Sequence, residues 1–361
     1  MTDRAFNFNA GPGTLPMPAL QQAARDILDY QGLGLGIMEM SHRSKEFMAI
    51  AEQTESLFRE LLGIPNNYRI LFLQGGASSQ FFMVPMNLLA PGTTACYLNT
   101  GTWSAKAIKE ARRFGTVDVP FSGEADNFRR LPEPTDYTVA HGCQYLYLVS
   151  NNTIFGTQFS SFPETDVMLV ADMSSDILSR RIPVERFGLI FAGAQKNLGP
   201  AGVTIVIVRD DLLDRVADSV PTMLRYKTHA DKQSMYNTPP CFAVYLVGEV
   251  LKWVKAQGGV EAIEQRNEEK ARLIYEMIDS GDYYRGHAEP SSRSRMNVVF
   301  NLPTAELEAK FVAAAAKEKM IGLKGHRSVG GCRASIYNAF PVEGVRHLVA
   351  FMQRFERENP A

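Results

Sequence analysis

None of the four cysteines (Cys96, Cys143, Cys241 and Cys332) stands in a CxxC pair or a framework spacing. A disulfide scaffold is therefore unsupported, and free thiols in a reducing cytosol are the expectation. The six histidines form no HxxxH and no cluster with cysteine, so no metal site is expected. No apolar run approaches the roughly 20 residues that cross a bilayer. Residues 1–6 lack the basic-then-apolar pattern of a leader. The net charge is −1, and no run of Lys or Arg stands out. A nucleic-acid footprint is not indicated. No repeat of 20 to 50 residues is apparent. Neither GxGxxG nor GxxxxGK[ST] follows a strand, which places a nicotinamide dehydrogenase far down the order of readings. What remains is a cytoplasmic protein that works on small molecules, with no nucleic acid and no membrane as partner.

The chain has 361 residues, 45% apolar and 21% charged. That suits one large α/β domain with a smaller companion. Short apolar runs at 69–73, 95–98, 144–149, 167–171, 189–192 and 203–208 read as strands. Stretches of helical spacing separate most of them, such as 81–89 and the helix running through 114, and another precedes them at 45–62. This pattern predicts a mainly parallel, seven-stranded-type sheet flanked by helices. Met173-Ser174-Ser175-Asp176 reads as a helix start. The Gly258-Gly259 pair reads as a hinge, followed by a long charged helix over 260–280 and a small α+β unit. The expected division is an N-terminal segment 1–15, a large domain 16–257 and a small C-terminal domain 258–361.

The turn Ala194-Gln195-Lys196-Asn197 lies between two of these apolar strands. A lysine there can be desolvated, which favours its neutral, nucleophilic amine. By itself it reads better as a lysine that snorkels to solvent. Other candidates share its place at strand ends. Gln74-Gly75-Gly76-Ala77-Ser78 opens a helix, where backbone N–H groups bind anions. Trp103, one of two tryptophans, follows the strand 95–98, and is equally plausible as a core anchor or as a stacking surface for a planar ring. Thr153 follows the strand 144–149. Asp172 follows 167–171 directly and needs a cationic partner to stay charged there.

In open α/β sheets, ligands bind along this edge. The joint placement fits a phosphorylated aromatic aldehyde. Lys196 would bond its carbonyl carbon, Asp172 would pair with its ring nitrogen, Trp103 would stack on it, and residues 75–79 would hold its phosphate. That is the pyridoxal 5'-phosphate arrangement. His-Arg-Ser occurs twice, at 42–44 and 326–328. Arginine forks with neighbouring histidine donors suit a dianion. Each copy alone reads as a solvated loop, and Arg333 alone as an edge-strand charge.

With Asp172, Ala194-Gln195-Lys196-Asn197 and Gly199-Pro200-Ala201-Gly202 in place, the chain resembles the class V aminotransferases among the fold-type I pyridoxal phosphate enzymes. The segments Phe6-Asn7-Phe8-Asn9-Ala10-Gly11-Pro12, Met40-Ser41-His42-Arg43-Ser44, Tyr236-Asn237-Thr238-Pro239-Pro240 and 325–335 extend the likeness over nearly the whole chain. They match the branch that works on phosphorylated substrates. The resemblance implies a homodimer with shared active sites. It implies cofactor contacts from Ala77, Ser78, Trp103, Thr153, Asp172, Gln195 and Lys196, with Asn237 and Thr238 reaching the phosphate of the neighbouring subunit. Arg333 would take the α-carboxylate, and His42, Arg43, His326 and Arg327 the distal anion. The implied reaction moves the amino group of L-glutamate to 3-phosphohydroxypyruvate, giving O-phospho-L-serine and 2-oxoglutarate. Use in making 4-phosphohydroxy-L-threonine stays open. Some members carry Ala-Arg where this chain has Ala77-Ser78, so it lacks their arginine next to the cofactor phosphate and resembles the family's other branch better. The rival readings are another class V enzyme (alanine–glyoxylate aminotransferase, or a cysteine desulfurase using Cys332) and a catalytically silent cofactor-binding protein.

Overall fold

The computed structural model describes residues 4–360. Seven strands form the central sheet: β1 (Tyr68–Leu73), β2 (Thr94–Asn99), β3 (Thr116–Ser122), β4 (Leu146–Val149), β5 (Leu169–Asp172), β6 (Phe187–Gly193) and β7 (Thr204–Arg209). Their order is β1-β7-β6-β5-β4-β2-β3. Only β7 runs antiparallel to its neighbours, β1 and β6. All residues of β4, β5 and β6 are buried, which is why these segments read as unbroken apolar runs. Alternate side chains feed two cores. Ile70, Phe72, Leu148, Ile190 and Ile205 face one side. Leu71, Tyr97, Tyr147, Phe191 and Val206 face the other.

Helices α1 (Met17–Asp26) and α2 (Lys45–Leu62) are followed by α3 (Gly76–Leu88) and α4 (Thr102–Ala111), then α5 (Tyr226–Asp231) and α6 (Cys241–Ala256). The Ser44 side chain caps α2 by accepting from Phe47 N, and Gly63 ends that helix at φ 64°, a conformation that costs glycine little. α2 lays Phe47, Ile50, Phe58 and Leu61 toward α6. The 21-residue α7 (Gly259–Asp279) carries Val260 and Ile263 in that core. Its later residues Ala271, Ile274 and Ile278 enter a third core with α8 (Ala305–Lys317) and α9 (Val342–Glu358). Phe8 joins this third core from the start of the chain. Phe6–Asn7 pairs in parallel with Met320–Ile321.

Several expectations are revised. Residues 116–122 form an edge strand absent from the runs read as strands, because Asp118 and Pro120 interrupt its apolar character. Met173–Asp176 makes turns rather than a helix. Asp172 Oδ1 accepts from Ser174 N at 2.9 Å, Ser174 Oγ accepts from Gly193 N at 3.0 Å, and Ser175 Oγ donates to Asn151 O at 2.8 Å. Such short side-chain bonds compete with helix formation. Cys96 and Cys143 are joined in a disulfide, Cα–Cα 6.1 Å, against the expectation of four free thiols. The two cysteines sit on β2 and just before β4, neighbouring strands of the sheet, a proximity that sequence spacing does not reveal. Among the described residues no helix is long and apolar enough to cross a membrane.

Candidate active site

The strands β1, β2, β4 and β5 are parallel, so the loops that leave them gather at one edge of the sheet. The Lys196 turn between β6 and β7 lies at that edge. It is covered by the N-terminal segment: Gly13 N donates to Gln195 O at 2.7 Å. A Cβ on Gly13 would stand 2.8 Å from Lys196 O and 2.8 Å from the Tyr337 ring, so only glycine fits this approach.

Lys196 is half-buried, and its Nζ donates to Thr153 Oγ1 at 2.7 Å. Burial pulls its ammonium down to about 8, helped by the charge of Arg333 and opposed by Asp172 and Asp176. The neutral amine that a nucleophile requires is thus far more accessible at neutral pH than in an ordinary lysine. The same Nζ stands 5.8 Å from the centroid of the Trp103 ring. Asp172 is 5% exposed. Burial raises its carboxyl, while Lys196 and Ser174 hold it down. Among the described residues no ion pair reaches it, so its carboxylate has room for a cationic partner.

Two helix starts at this edge differ. At α4, Ser104 Oγ accepts from Thr100 N at 2.9 Å and from Gly101 N at 3.0 Å, and so closes the turn. At α3 no side chain caps the first turn, and Gly75 precedes it at φ 92°. A Cβ on Gly75 would meet Ser79 Oγ at 2.2 Å. The backbone N–H groups at Gly76, Ala77 and Ser78 are free for an anion. These features fit pyridoxal phosphate. The open α3 start suits its phosphate, and the buried Asp172 carboxylate suits a protonated ring nitrogen. The half-buried Trp103, whose Nε1 has no partner, suits the ring face. The Lys196 amine suits the aldehyde.

The remaining candidates divide into two groups. Arg333 Nη1 donates to Thr153 O at 3.3 Å, and its buried Nε has no partner. His326 lies near enough to Arg333 and Arg327 for their charges, after burial, to lower its imidazole. Gln195 is half-buried in the lysine turn. These residues therefore converge. Asn237 and Thr238 are exposed, and Gln74 Nε2 donates to Thr238 O at 2.9 Å, which sets them beside the α3 start of their own chain. A cavity of about 220 Å³ lies between Gly75, Ser79 and Asn237. His42 is buried with Nε2 unpartnered, and Arg43 is exposed. No hydrogen bond or ion pair among the described residues joins either one to Lys196, Asp172 or Arg333. Cys332 is buried, and burial raises its thiol strongly, opposite to what a reactive cysteine needs.

Sequence reasoning missed two supporting residues. Tyr337 donates to Ala10 O at 2.5 Å and accepts from Asn297 Nδ2 at 3.2 Å, so it ties the N-terminal loop to the third core. No sequence signal marks it. Lys106 stands one turn after Trp103, and the i, i+3 spacing on a helix was the signal available. No group of three or more His, Cys, Asp or Glu able to hold a metal occurs among the described residues.

Comparison with known proteins agrees with this geometry. The family described as Aminotransferase class-V matches residues 5–348. The chain is 64% identical over 361 residues, 100% of each, to the phosphoserine aminotransferase of Desulfotalea psychrophila. It is 53% identical to that of Bacillus subtilis, covering 99% of each chain. Among solved structures it is similar to the phosphoserine aminotransferase from Bacillus circulans subsp. alkalophilus, with TM-score 0.97, 51% identity and 99% of each chain covered. It is also similar to the PLP-bound enzyme of that name from Trichomonas vaginalis, with TM-score 0.93, 40% identity, and 97% and 100% coverage.

Proposed function

The chain belongs to the class V aminotransferases, and we propose that within that family it transfers the amino group of L-glutamate to 3-phosphohydroxypyruvate, as a phosphoserine aminotransferase. The observation that carries the reading is the Lys196 amine. Burial lowers its basicity to about 8, and it stands 2.7 Å from Thr153 and within reach of the Asp172 charge, at the sheet edge that also carries a helix start left open for phosphate. The cofactor is pyridoxal phosphate, which when bound supplies an electron-accepting ring that makes a substrate Cα–H bond acidic.

The roles of the protein follow from its own groups. Lys196 Nζ holds the cofactor at rest. As a free amine it would be placed to take the proton from the substrate Cα and to hold it for return. Asp172 keeps a proton on the ring nitrogen by offsetting its charge. Trp103 supports the ring face. The N–H groups at Ala77 and Ser78 would hold the phosphate, Gln195 would contact the cofactor from the lysine turn, and Thr153 keeps the lysine aimed. Arg333 receives the α-carboxylate, and His326 and Arg327 the distal anion. Arginine forks accept a carboxylate and a phosphate in the same geometry, so one pocket serves both half-reactions.

We further read the active molecule as a homodimer. His42 and Arg43 of a second copy would complete the distal pocket, and Asn237 and Thr238 would reach across to the neighbouring phosphate. Leu28 (81% exposed), Met38 (63%) and Leu33 (51%) lie open just ahead of His42, apolar surface of the kind that an interface covers. The division at 258 also belongs to this reading, with 16–257 binding the cofactor and 258–361 carrying Arg327 and Arg333. The test is a coupled assay with L-glutamate and either 3-phosphohydroxypyruvate, 4-phosphohydroxy-2-oxobutyrate-type acceptors or glyoxylate. Turnover of the phosphorylated acceptor is expected. Preference for glyoxylate would point to another class V activity, and bound cofactor with no transfer to any keto acid would point to a silent protein.

A further inference from the structure

Lys106 is exposed on α4, and its Nζ stands 4.6 Å from the centroid of the Trp103 ring. The Lys196 amine is 5.8 Å from that same centroid, so both amines gather around one indole. The charge of Lys106 also reaches His326, where it acts with those of Arg333 and Arg327. Among the described residues no carboxylate forms an ion pair with Lys106, whereas Lys227 has two and Lys252 and Lys255 have one each. A cation free of acidic partners thus stands at the rim of the site, next to the groups read as taking the distal anion.

We propose that Lys106 is a specificity-determining residue: it meets the distal phosphate of the phosphorylated substrate and favours that dianion over the γ-carboxylate of L-glutamate. This rests on the amino-transfer reading given above. The two substrates differ at that end mainly in charge, since a phosphate monoester carries close to two negative charges at neutral pH and a carboxylate one. Arginine forks match the shape of both and so separate them poorly. His326, held down by burial and three neighbouring cations, offers a hydrogen bond but little charge. An added ammonium discriminates by charge count. Lysine carries a compact charge on a flexible stem. Resting over the indole face is a weak hold, easily exchanged for a phosphate and resumed when L-glutamate enters.

The test compares holoenzyme with Lys106→Gln and Lys106→Arg, measuring kcat/KM separately for each substrate and the calorimetric affinity for O-phospho-L-serine and for L-glutamate. Lys106→Gln should lower kcat/KM for 3-phosphohydroxypyruvate and affinity for O-phospho-L-serine by about tenfold. Its values for L-glutamate should stay within about twofold, and Lys106→Arg should recover most of the loss. Parallel loss for both substrates, or no loss for either, overturns the proposal. A wild type that uses 3-phosphohydroxypyruvate while Lys106→Gln matches it overturns the proposal alone. A wild type that ignores that acceptor overturns the amino-transfer reading and this proposal with it.

Discussion

Two lysines of this protein are withdrawn from water, and they are put to opposite uses. Lys196 sits in a turn at the sheet edge, where its amine has one hydroxyl acceptor, Thr153, and feels the charge of Asp172. Lys270 lies inside α7 at 1% exposure. It donates to Ile336 O at 2.8 Å, Tyr337 O at 2.7 Å and Phe340 O at 3.2 Å. Both ammonium groups are pulled down by burial, to about 8 and about 7. Lowered basicity alone therefore does not make a nucleophile. Lys270 has all three donors committed to carbonyls and no path to a ligand. Lys196 keeps room to change partners. The buried lysine instead fixes the segment after the Arg333 strand. Asn267, one turn earlier on α7, donates to Asn338 Oδ1 at 2.9 Å, and Asn338 N donates to Asn197 Oδ1 at 3.0 Å, next to Lys196 itself.

Substitution separates the two roles. Lys196→Ala should cost at least about 10⁴-fold in turnover with little loss of fold. Borohydride should fix the cofactor to the wild-type chain and not to the variant, as read by mass, and a variant that keeps both cofactor and turnover would remove Lys196 from its role. Asp172→Asn should reduce turnover by about 10²–10³-fold while leaving that covalent attachment intact. Lys270→Met should leave three carbonyls without donors and cost about 3 kcal/mol of unfolding free energy, measured by denaturant titration.

The pH dependence sharpens the comparison. Lys270 is lowered to about 7 in the folded chain from an ordinary 10.5. The unfolded state therefore binds more protons between those values, and stability rises with pH across that window. The advantage of wild type over Lys270→Met should grow from pH 7 toward pH 10; an advantage that shrinks would mean the folded ammonium is favoured instead. Thr153→Val should have the smallest effect, a loss of up to about tenfold in turnover from one hydrogen bond.

Most of the sheet could be read in advance, because β4, β5 and β6 are buried on both faces and carry unbroken apolar runs. The Lys196 turn and Asp172 stood out for the same reason: each is a charge placed against such a run. The edge strand 116–122 could not be read this way, since its half-exposed side chains need no apolar pattern. Lys270 was equally hidden. It follows Glu268 and Glu269 in a helix that looks solvated by composition, and only the carbonyls of a distant segment give it a place. The pairing of Cys96 with Cys143 depends on two strands becoming neighbours. Lys106 was visible as a letter, but its nearness to His326 is a property of the fold.

The seating of the N-terminal segment has a consequence for biosynthesis. Phe6 and Asn7 find their strand partners at Met320 and Ile321, and Phe8 packs among residues as late as Phe355. A ribosome emits the first of these residues long before the last. The Lys196 turn that Gly13 contacts emerges more than a hundred residues before Met320, so the strand that anchors its segment still has no mate at that stage. The site is thus finished late, by the joining of segments more than 300 residues apart, and a chain stalled before residue 320 has its lysine in place without the strand pairing that anchors its cover.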